Sequence, residues 1–381
     1  MASPGPTKVF IIGGTGAQGI PIIRSLVQDN AYHVRVLTRD PLSPRAQSLQ
    51  ALGPNVELLQ GDFTDEVSLK KGYSGCDAAF VNIDGFNTGE KVEMYWAIRV
   101  YELAVADGGI KFFVYGNLEY ISKQAGYNPE FRSGHFDGKG RIGEWILFQS
   151  REAQKTDPQA MRVALFTTGP YIEMVIAKWT LMTPSIEKNA DGEDALTWRV
   201  PLTNEGAVAH VSLDDCGHYV RWLFDHPDRA DGLNLAVAID HISYADLAAA
   251  FTKVTGRPAQ FIDVDFDTYW SEGPLSSRAD LPAGYSADID DPATMSVREN
   301  FTGFWNIWRH SRKGGEGHIK RDYSWLDAIH PGRVRSAEEF FRREEEKAKR
   351  AGSSLWERVQ PGKLEPILKL QDDGFKSPVK V

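Results

Sequence analysis

The stretch VFIIGGTGAQGIPIIR, residues 9–24, decides how the rest of the chain is interpreted. Its unbroken apolar run at 9–12 is typical of a strand buried on both faces of a parallel sheet. Glycines follow at once, and the apolar residues after position 19 have helical spacing. Strand, glycine-rich turn and helix in this order predict a dinucleotide-binding unit. The alternative is a glycine-rich turn that binds nothing.

The spacing of Gly13, Gly16 and Gly19 has a physical use in such a unit. The turn needs a residue without Cβ, the backbone must approach a pyrophosphate closely, and the helix must pack close to the strand. The first N–H groups of the helix and its positive dipole end then face the phosphates. We therefore expect the pyrophosphate of a dinucleotide at this turn.

Composition narrows the class of protein. The chain has 381 residues, 42% of them hydrophobic and 25% charged, with a net charge of -9. An acidic chain is poorly suited to a large nucleic-acid interface, so we expect no direct nucleic-acid partner. Two cysteines indicate neither a disulfide framework nor a metal cluster. Without a signal peptide or a long apolar run, we expect no membrane span and a cytoplasmic protein, with the nucleus as an alternative location.

The alternation of elements predicts an α/β fold with a Rossmann-type doubly wound parallel sheet. Residues 1–170 are expected to form the NADP-binding domain, with later segments completing its sheet. Residues 171–381 are expected to form a smaller α+β C-terminal lobe for a substrate or partner, with a C-terminal helical extension. The predicted strands are 9–12, 33–38, 56–60, 78–83, 111–115, 160–166, 196–200, 210–212 and 232–237, and the main predicted helices are 45–52, 67–73, 89–106, 141–150, 214–225, 243–255 and 338–350.

Arg39 at the end of the second predicted strand bears on the choice of cofactor. In a dinucleotide fold this position meets the adenosine ribose, where an acid favours NAD and an arginine accommodates the 2′-phosphate of NADP. Arg39, together with Arg45, favours NADP(H) over NAD(H). The alternative is that Arg39 is an ordinary surface residue and Asp40 faces the ribose.

Asp62 follows the third predicted strand, near the expected position of the adenine. Its carboxylate is suited to hold the exocyclic amine, and it is equally suited to an Asx turn for Thr64. The two roles are compatible.

His135 and Lys139 lie four residues apart, a spacing that places both on one face of a helix. A lysine beside a nicotinamide can hold ribose hydroxyls, and a histidine can act as a general acid or base near neutral pH. The glycines around them weaken the helix prediction. The alternative is a glycine-rich turn with exposed polar residues.

Several motifs give the chain a resemblance to a known family. It resembles the NmrA-like family, an atypical branch of the short-chain dehydrogenase/reductase superfamily, and within it the fungal group. The likeness covers most of the chain. The motifs are IIGGTGAQG (11–19), VLTRDP (36–41), QGDFTD (60–65), FVYGNLEYI (113–121), HFDGKGRIGEW (135–145), FWNIWRHS (304–311), IKRDYSWLDAIHP (319–331) and RSAEEFFRRE (335–344).

The resemblance implies a dinucleotide-binding domain, a small C-terminal substrate lobe and a set of cofactor contacts. By this likeness, the glycine-turn residues hold the pyrophosphate, Arg39 takes the 2′-phosphate, Asp62 lies by the adenine and Lys139 approaches the nicotinamide ribose. The cofactor-binding residues that it implies are Gly13, Thr15, Gly16, Ala17, Gln18, Gly19, Arg39, Asp62, Asn82, Ile83, Asp84, Lys139, Thr168, Gly169, Pro170 and Tyr171.

The chain departs from active short-chain reductases at the proton donor. Those enzymes use Tyr-x-x-x-Lys, and here His135 stands at the tyrosine position while Gly116 and Asn117 replace the serine region. Two functions remain open. One is an NADPH-dependent reductase of a small organic substrate (a carbonyl, imine or activated alkene) with Lys139 and His135 as catalytic residues. The other is a redox sensor that binds dinucleotide and acts on a regulatory protein partner.

A cavity above the nicotinamide is expected for the reductase, and a blocked one for the sensor. Trp305, Trp308 and Tyr323 are candidates for lining such an apolar pocket, with a place in the core as the alternative.

Overall fold

The structure, a computed structural model, describes residues 7–284, 287–288 and 290–369. The ends of the two predicted domains, 1–6 and 370–381, lie outside the described residues. All six strands predicted up to residue 166 are present. The strands are β1 Thr7–Ile12, β2 Tyr32–Thr38, β3 Val56–Gln60, β4 Ala78–Val81, β5 Phe112–Asn117, β6 Arg162–Thr167, β7 Ser185–Lys188, β8 Asp194–Val200, β9 Val208–Ala209, β10 Asn234–Ala236, β11 His241–Ile242 and β12 Ala259–Asp263.

The central sheet of the described residues has seven strands in the order β3-β2-β1-β4-β5-β6-β10. All of its pairings are parallel. The first six strands follow the order of a dinucleotide-binding fold, which reverses direction between β1 and β4. The predicted Rossmann-type sheet is confirmed, and its seventh strand comes from beyond residue 170.

Helices cover both faces of this sheet. One face is packed by α1 (Gly19–Val27) and α7 (Leu213–Asp225), which contact each other. The other is packed by α3 (Glu66–Tyr73), α4 (Gly85–Asp107) and α6 (Gly134–Thr156). The helices are α1 Gly19–Val27, α2 Pro44–Gln50, α3 Glu66–Tyr73, α4 Gly85–Asp107, α5 Ile121–Gln124, α6 Gly134–Thr156, α7 Leu213–Asp225, α8 Pro227–Ala230, α9 Tyr244–Thr255, α10 Phe266–Glu272, α11 Val297–Arg309, α12 Tyr323–Ile329, α13 Ala337–Arg350 and α14 Leu355–Arg358.

The apolar run of β1 explains why the sheet needs two layers of helices. Val9 and Ile11 belong to the apolar cluster on the α1 side, and Phe10 and Ile12 to the cluster on the α4 side. Successive side chains of a strand point to opposite faces, so an unbroken run is stable only when both faces are covered. Each such side chain contributes about 1.5–3 kcal/mol when it is fully buried.

A third apolar cluster lies in the second half of the chain. Two small sheets belong to this half, β12-β8-β7 and β11-β9. The helix α9 packs against β12, β8 and α13, and its Tyr244 contacts Trp305 of α11. The prediction of a strand at 210–212 is wrong. The strand that pairs with β11 lies just before these residues, at Val208–Ala209. None of the helices in the described part of the chain has the length and apolar character of a membrane span.

The helix α6 begins seven residues earlier than the sequence predicts. Its first turns contain glycines, which lower helix propensity. A Cβ on Gly140 would lie 2.3 Å from the backbone nitrogen of Tyr120, and one on Gly143 would lie 2.5 Å from Asn117 Oδ1. These glycines therefore allow the helix to pack directly against the segment that follows β5, and this packing outweighs the local propensity.

Candidate functional site

A cavity of about 600 Å³ lies where the sheet strands end. Loops after β1, β2, β3, β4, β5 and β6 contribute to its wall, as expected at the carboxyl edge of an open parallel sheet. The structure brings almost all of the predicted site residues together here. Those that line the cavity are Gly13, Thr15, Gly16, Ala17, Gln18, Arg39, Asp62, Asn82, Ile83, Asp84, His135, Lys139, Thr168, Gly169, Pro170 and Tyr171.

Gly13, Gly16 and Gly19, the three spaced glycines of the turn, differ in what surrounds them. Gly13 has a φ of 84°, and a Cβ there would lie 2.2 Å from the Asn82 carbonyl oxygen. Gly19 does not line the cavity, and a Cβ there would lie 2.3 Å from the Gly13 carbonyl oxygen, so it serves helix packing. Gly16 lines the cavity, and its nearest obstacle is the Gly13 carbonyl oxygen at 3.1 Å. Gly16 is therefore the position that leaves space for a ligand.

The N-terminus of α1 is open to the cavity. Gln18 precedes the helix and makes no capping hydrogen bond with its side chain. Its amide instead accepts a hydrogen bond from Asn82 Nδ2 at 2.8 Å, and lies 3.4 Å from the Tyr171 hydroxyl and 3.5 Å from Thr168 Oγ1. The first N–H groups of a helix without a side-chain cap are suited to bind phosphate oxygens.

Arg39 lines the cavity, whereas Asp40 does not. The Asp40 carboxylate is turned to its own loop and accepts a hydrogen bond from the Leu42 amide at 2.8 Å. Arg45, on α2, donates from Nη1 to the Thr15 carbonyl oxygen at 3.3 Å. Arginine rather than aspartate therefore faces the place where a ribose 2′-phosphate is expected.

Asp62 forms the predicted Asx turn and also lies on the cavity wall. Its Oδ1 accepts hydrogen bonds from both the amide and the hydroxyl of Thr64 at 2.9 Å, which is an Asx turn. The residue also lines the cavity.

Lys139 is held firmly at the centre of the cavity wall. Its Nζ lies 3.0 Å from Asn82 Oδ1, 2.8 Å from the Ile83 carbonyl oxygen and 2.7 Å from Glu93 Oε1. An ammonium has three donors, so these three acceptors fix its position. Glu93 is 0% exposed, and burial raises the pKa of its carboxyl while the Lys139 charge acts in the opposite direction.

His135 is buried among aromatic rings rather than exposed on a turn. It is 9% exposed, its Nδ1 lies about 3 Å from the side-chain amide of Asn300, and its ring contacts Phe86 and Phe301. Burial lowers the pKa of His135 to about 4, because desolvation penalises the imidazolium. An imidazole with this pKa is neutral at pH 7, and the role of His135 as a general acid or base stays a prediction.

Beyond His135 the cavity wall is mostly apolar and aromatic, with Thr180, Ser277 and Arg278 as its polar residues. The three aromatic candidates from the sequence lie elsewhere: Trp305 and Trp308 are fully buried in the core, and the Tyr323 hydroxyl is hydrogen-bonded to His241. The cavity is lined instead by residues that sequence reasoning missed, on α4, on α6, on other positions of α11 and in loops. These are Phe86, Phe136, Met174, Trp179, Leu181, Pro274, Leu275, Pro282, Val297, Phe301 and Phe304.

The spacing of apolar residues within α11 is a sequence pattern that points to the aromatic end of the cavity. Val297, Phe301 and Phe304 are separated by four and three residues, which places them on one helix face. The sequence does not show which apolar face of a helix meets a cavity, since Trp305 and Trp308 form an equally apolar pattern.

The sequence model of the NmrA-like family matches residues 6–302. The chain belongs to the NmrA-like family. Among curated relatives, an NmrA-like family domain-containing oxidoreductase, hkm9 of Aspergillus hancockii, is 28% identical over 278 residues, which cover 70% of this chain and 79% of that one.

Solved structures share the fold of this NmrA-like protein. NmrA, a negative transcriptional regulator in complex with NADP, superposes with a TM-score of 0.67 at 17% identity, covering 92% of this chain and 99% of that one. The NADPH-dependent quinone oxidoreductase QOR2 of Escherichia coli superposes with a TM-score of 0.59 at 18% identity, covering 88% and 98%. At these identities the likeness shows the fold alone.

Proposed function

We propose that this NmrA-like protein is an NADPH-dependent reductase of a small, largely apolar organic substrate that carries a carbonyl, imine or activated alkene. The observation that carries the proposal is the single cavity that runs from the glycine turn, past Lys139, to the aromatic end formed by Phe301 and Phe304. An open apolar space beyond the cofactor residues is what a substrate requires. The name of the fungal relative, an oxidoreductase, supports the same class.

The residues of the cavity fit NADP(H). The space left at Gly16, the open N-terminus of α1 and the arginine at the end of β2 provide for the pyrophosphate and the 2′-phosphate. When bound, NADPH supplies the hydride. The complex of NmrA with NADP and the NADPH dependence of QOR2 support this choice, and NmrA is also known in complex with NAD.

Lys139 is proposed to exchange one of its three present acceptors for a hydroxyl of the nicotinamide ribose, and to stabilise negative charge on the substrate. Its Nζ is fixed by Asn82, Ile83 and Glu93, so the positive charge is positioned before the ligand arrives. A preorganised charge in a site with little water stabilises a developing oxyanion more strongly than the same charge in water.

His135 is proposed to hold a water molecule that supplies the proton. Its pKa of about 4 leaves the imidazole neutral at pH 7, so it has no acidic proton of its own to give. As a neutral hydrogen-bonding group at the edge of the aromatic end, it is placed to orient a water toward the substrate.

A redox sensor is the second candidate. Its support is the absence of a Tyr-x-x-x-Lys pair, with His135 at the tyrosine position, and the description of the NmrA structure as a transcriptional regulator. In this case the dinucleotide is bound without turnover, and the partner is a regulatory protein.

The decisive experiment is NADPH binding by calorimetry, followed by a screen of carbonyl, imine and alkene substrates that monitors cofactor oxidation. We expect binding and turnover, with turnover reduced about 10²–10⁴-fold in Lys139→Met. Lys123→Met, which removes an exposed lysine paired with Glu144, is the control and retains activity. Binding without any turnover across the screen contradicts the reductase and supports the sensor.

A further inference from the structure

A segment from far along the chain reaches the glycine-turn end of the cavity. Leu368 and Lys369 line the cavity beside the glycine turn. Lys369 Nζ donates a hydrogen bond to Thr15 Oγ1 at 3.0 Å. The family match ends at residue 302, so this contact is made by a part of the chain outside the matched region.

Contacts other than the Lys369 side chain hold this segment in place. Arg45 Nη2 donates to the carbonyl oxygens of Ile367 and Leu368 at 3.2 and 3.3 Å. The amide of Lys178 donates to the Glu365 carbonyl oxygen at 3.2 Å. Ile367 and Leu368 also pack against the third apolar cluster. The position of the backbone therefore does not depend on the ammonium of Lys369.

Positive charge is concentrated where the segment meets the turn. Arg45 donates from Nη1 to the Thr15 carbonyl oxygen while Lys369 contacts the Thr15 hydroxyl, so two cations meet at one residue. Arg39 lines the same cavity, and the charges of Arg39 and Lys369 both lower the pKa of the Asp84 carboxyl, against the larger effect of burial, which raises it.

We propose that Lys369 is a phosphate-binding residue that determines specificity, and that its ligand is the 2′-phosphate of NADP(H). This inference rests on the proposed NADP(H) site. The turn and the helix N-terminus provide for the pyrophosphate. Arg39 follows the end of β2 and Arg45 lies on α2, and both are on the side where the ribose is expected. A group with up to two negative charges at that position is best held by several cations.

When NADP(H) binds, the Lys369 ammonium exchanges the Thr15 hydroxyl for a phosphate oxygen. The hydrogen bonds from Arg45 to the carbonyl oxygens of Ile367 and Leu368 remain.

The test is calorimetry with NADPH and NADH on the full chain and on three variants. Lys369→Ala is expected to weaken NADPH binding about tenfold and to change NADH binding by less than about twofold. Lys369→Arg should keep the NADPH affinity within about threefold of the original protein. Lys363→Ala removes an exposed lysine of the same segment and should change neither affinity.

The possible outcomes separate this inference from the proposed function. If the original protein binds no dinucleotide, the proposed function fails and Lys369 loses its role with it. If the protein binds NADPH normally and Lys369→Ala changes nothing, only the role of Lys369 is overturned. An equal loss for NADPH and NADH overturns the 2′-phosphate assignment, because it places the lysine at the pyrophosphate.

Discussion

At one end of the cavity the wall comes largely from one short stretch of chain, the turn between β1 and α1, with Arg39 and Arg45 beside it. At the other end the wall comes from helices and loops between positions 86 and 304. The first end offers glycines, helix N–H groups and cations. The second offers aromatic rings around a neutral histidine.

The difference reflects what each end has to recognise. A diphosphate has a fixed shape and charge, so a local turn with a fixed backbone path can bind it. An organic substrate is recognised mainly by the shape of an apolar space, and that shape depends on how distant elements pack. Changes at the first end should therefore alter the binding of the dinucleotide, and changes at the second end should alter the use of the substrate.

The largest effect is expected from the turn glycines. Gly16→Val should weaken NADPH binding by about a hundredfold or more while the protein still folds, because its side chain enters the space for the phosphates. Gly19→Val is the matched control, and it should destabilise the protein by about 3 kcal/mol, because its Cβ meets the backbone of the turn. Thermal melting and calorimetry distinguish the two. A Gly16→Val variant that melts cooperatively and binds NADPH normally would show that the phosphates lie elsewhere.

A smaller effect is expected for Arg39→Ala. Loss of a charge-assisted hydrogen bond to the 2′-phosphate should weaken NADPH binding about 10–100-fold and leave NADH binding unchanged. Arg24→Ala, an exposed arginine of α1, serves as the control. Calorimetric titrations with both dinucleotides give the comparison. If Arg39→Ala keeps its preference for NADPH, the arginine is a surface residue without a role in specificity.

At the apolar end, Phe304→Leu should raise KM for a substrate found in the screen by about three- to tenfold and leave the Kd for NADPH unchanged. The smaller side chain reshapes the wall of the cavity without adding charge. Phe340→Leu is a matched control, since Phe340 is equally buried (3% exposed) in the same apolar cluster and lies off the cavity. Equal KM values for the two variants would mean that the substrate does not contact α11.

The smallest effect is the pH dependence of stability. The folded-state pKa of His135 is about 4, below the usual value of 6.5, so its contribution to stability is complete above pH 6.5 and is lost as the pH falls toward 4. The loss between pH 6.5 and 5.5 should be about 1 kcal/mol for this residue. Denaturant unfolding at several pH values measures it, and His135→Gln should reduce the slope. An unchanged slope would indicate that the imidazole is solvated.

The sequence by itself determined the dinucleotide end and the sheet. An apolar strand, a glycine turn and a helix are local features, and their physical meaning does not depend on distant residues. Six parallel strands, the residues of the turn and Arg39 could therefore be predicted from local patterns, whereas the prediction for Lys139 rested on its spacing from His135 and on the resemblance to the family.

Tertiary structure alone decided the aromatic end, the state of His135 and the position of the C-terminal segment. The first turns of α6 form despite their glycines because α6 packs tightly against Asn117 and Tyr120. Contacts with Phe86, Asn300 and Phe301 bury His135 and so keep it neutral. Trp305 and Phe304 are adjacent in sequence, yet only Phe304 lines the cavity. Similarly, Lys369 meets Thr15 across 354 residues. Burial and long-range contact depend on how whole elements pack against one another, and no local pattern specifies that packing.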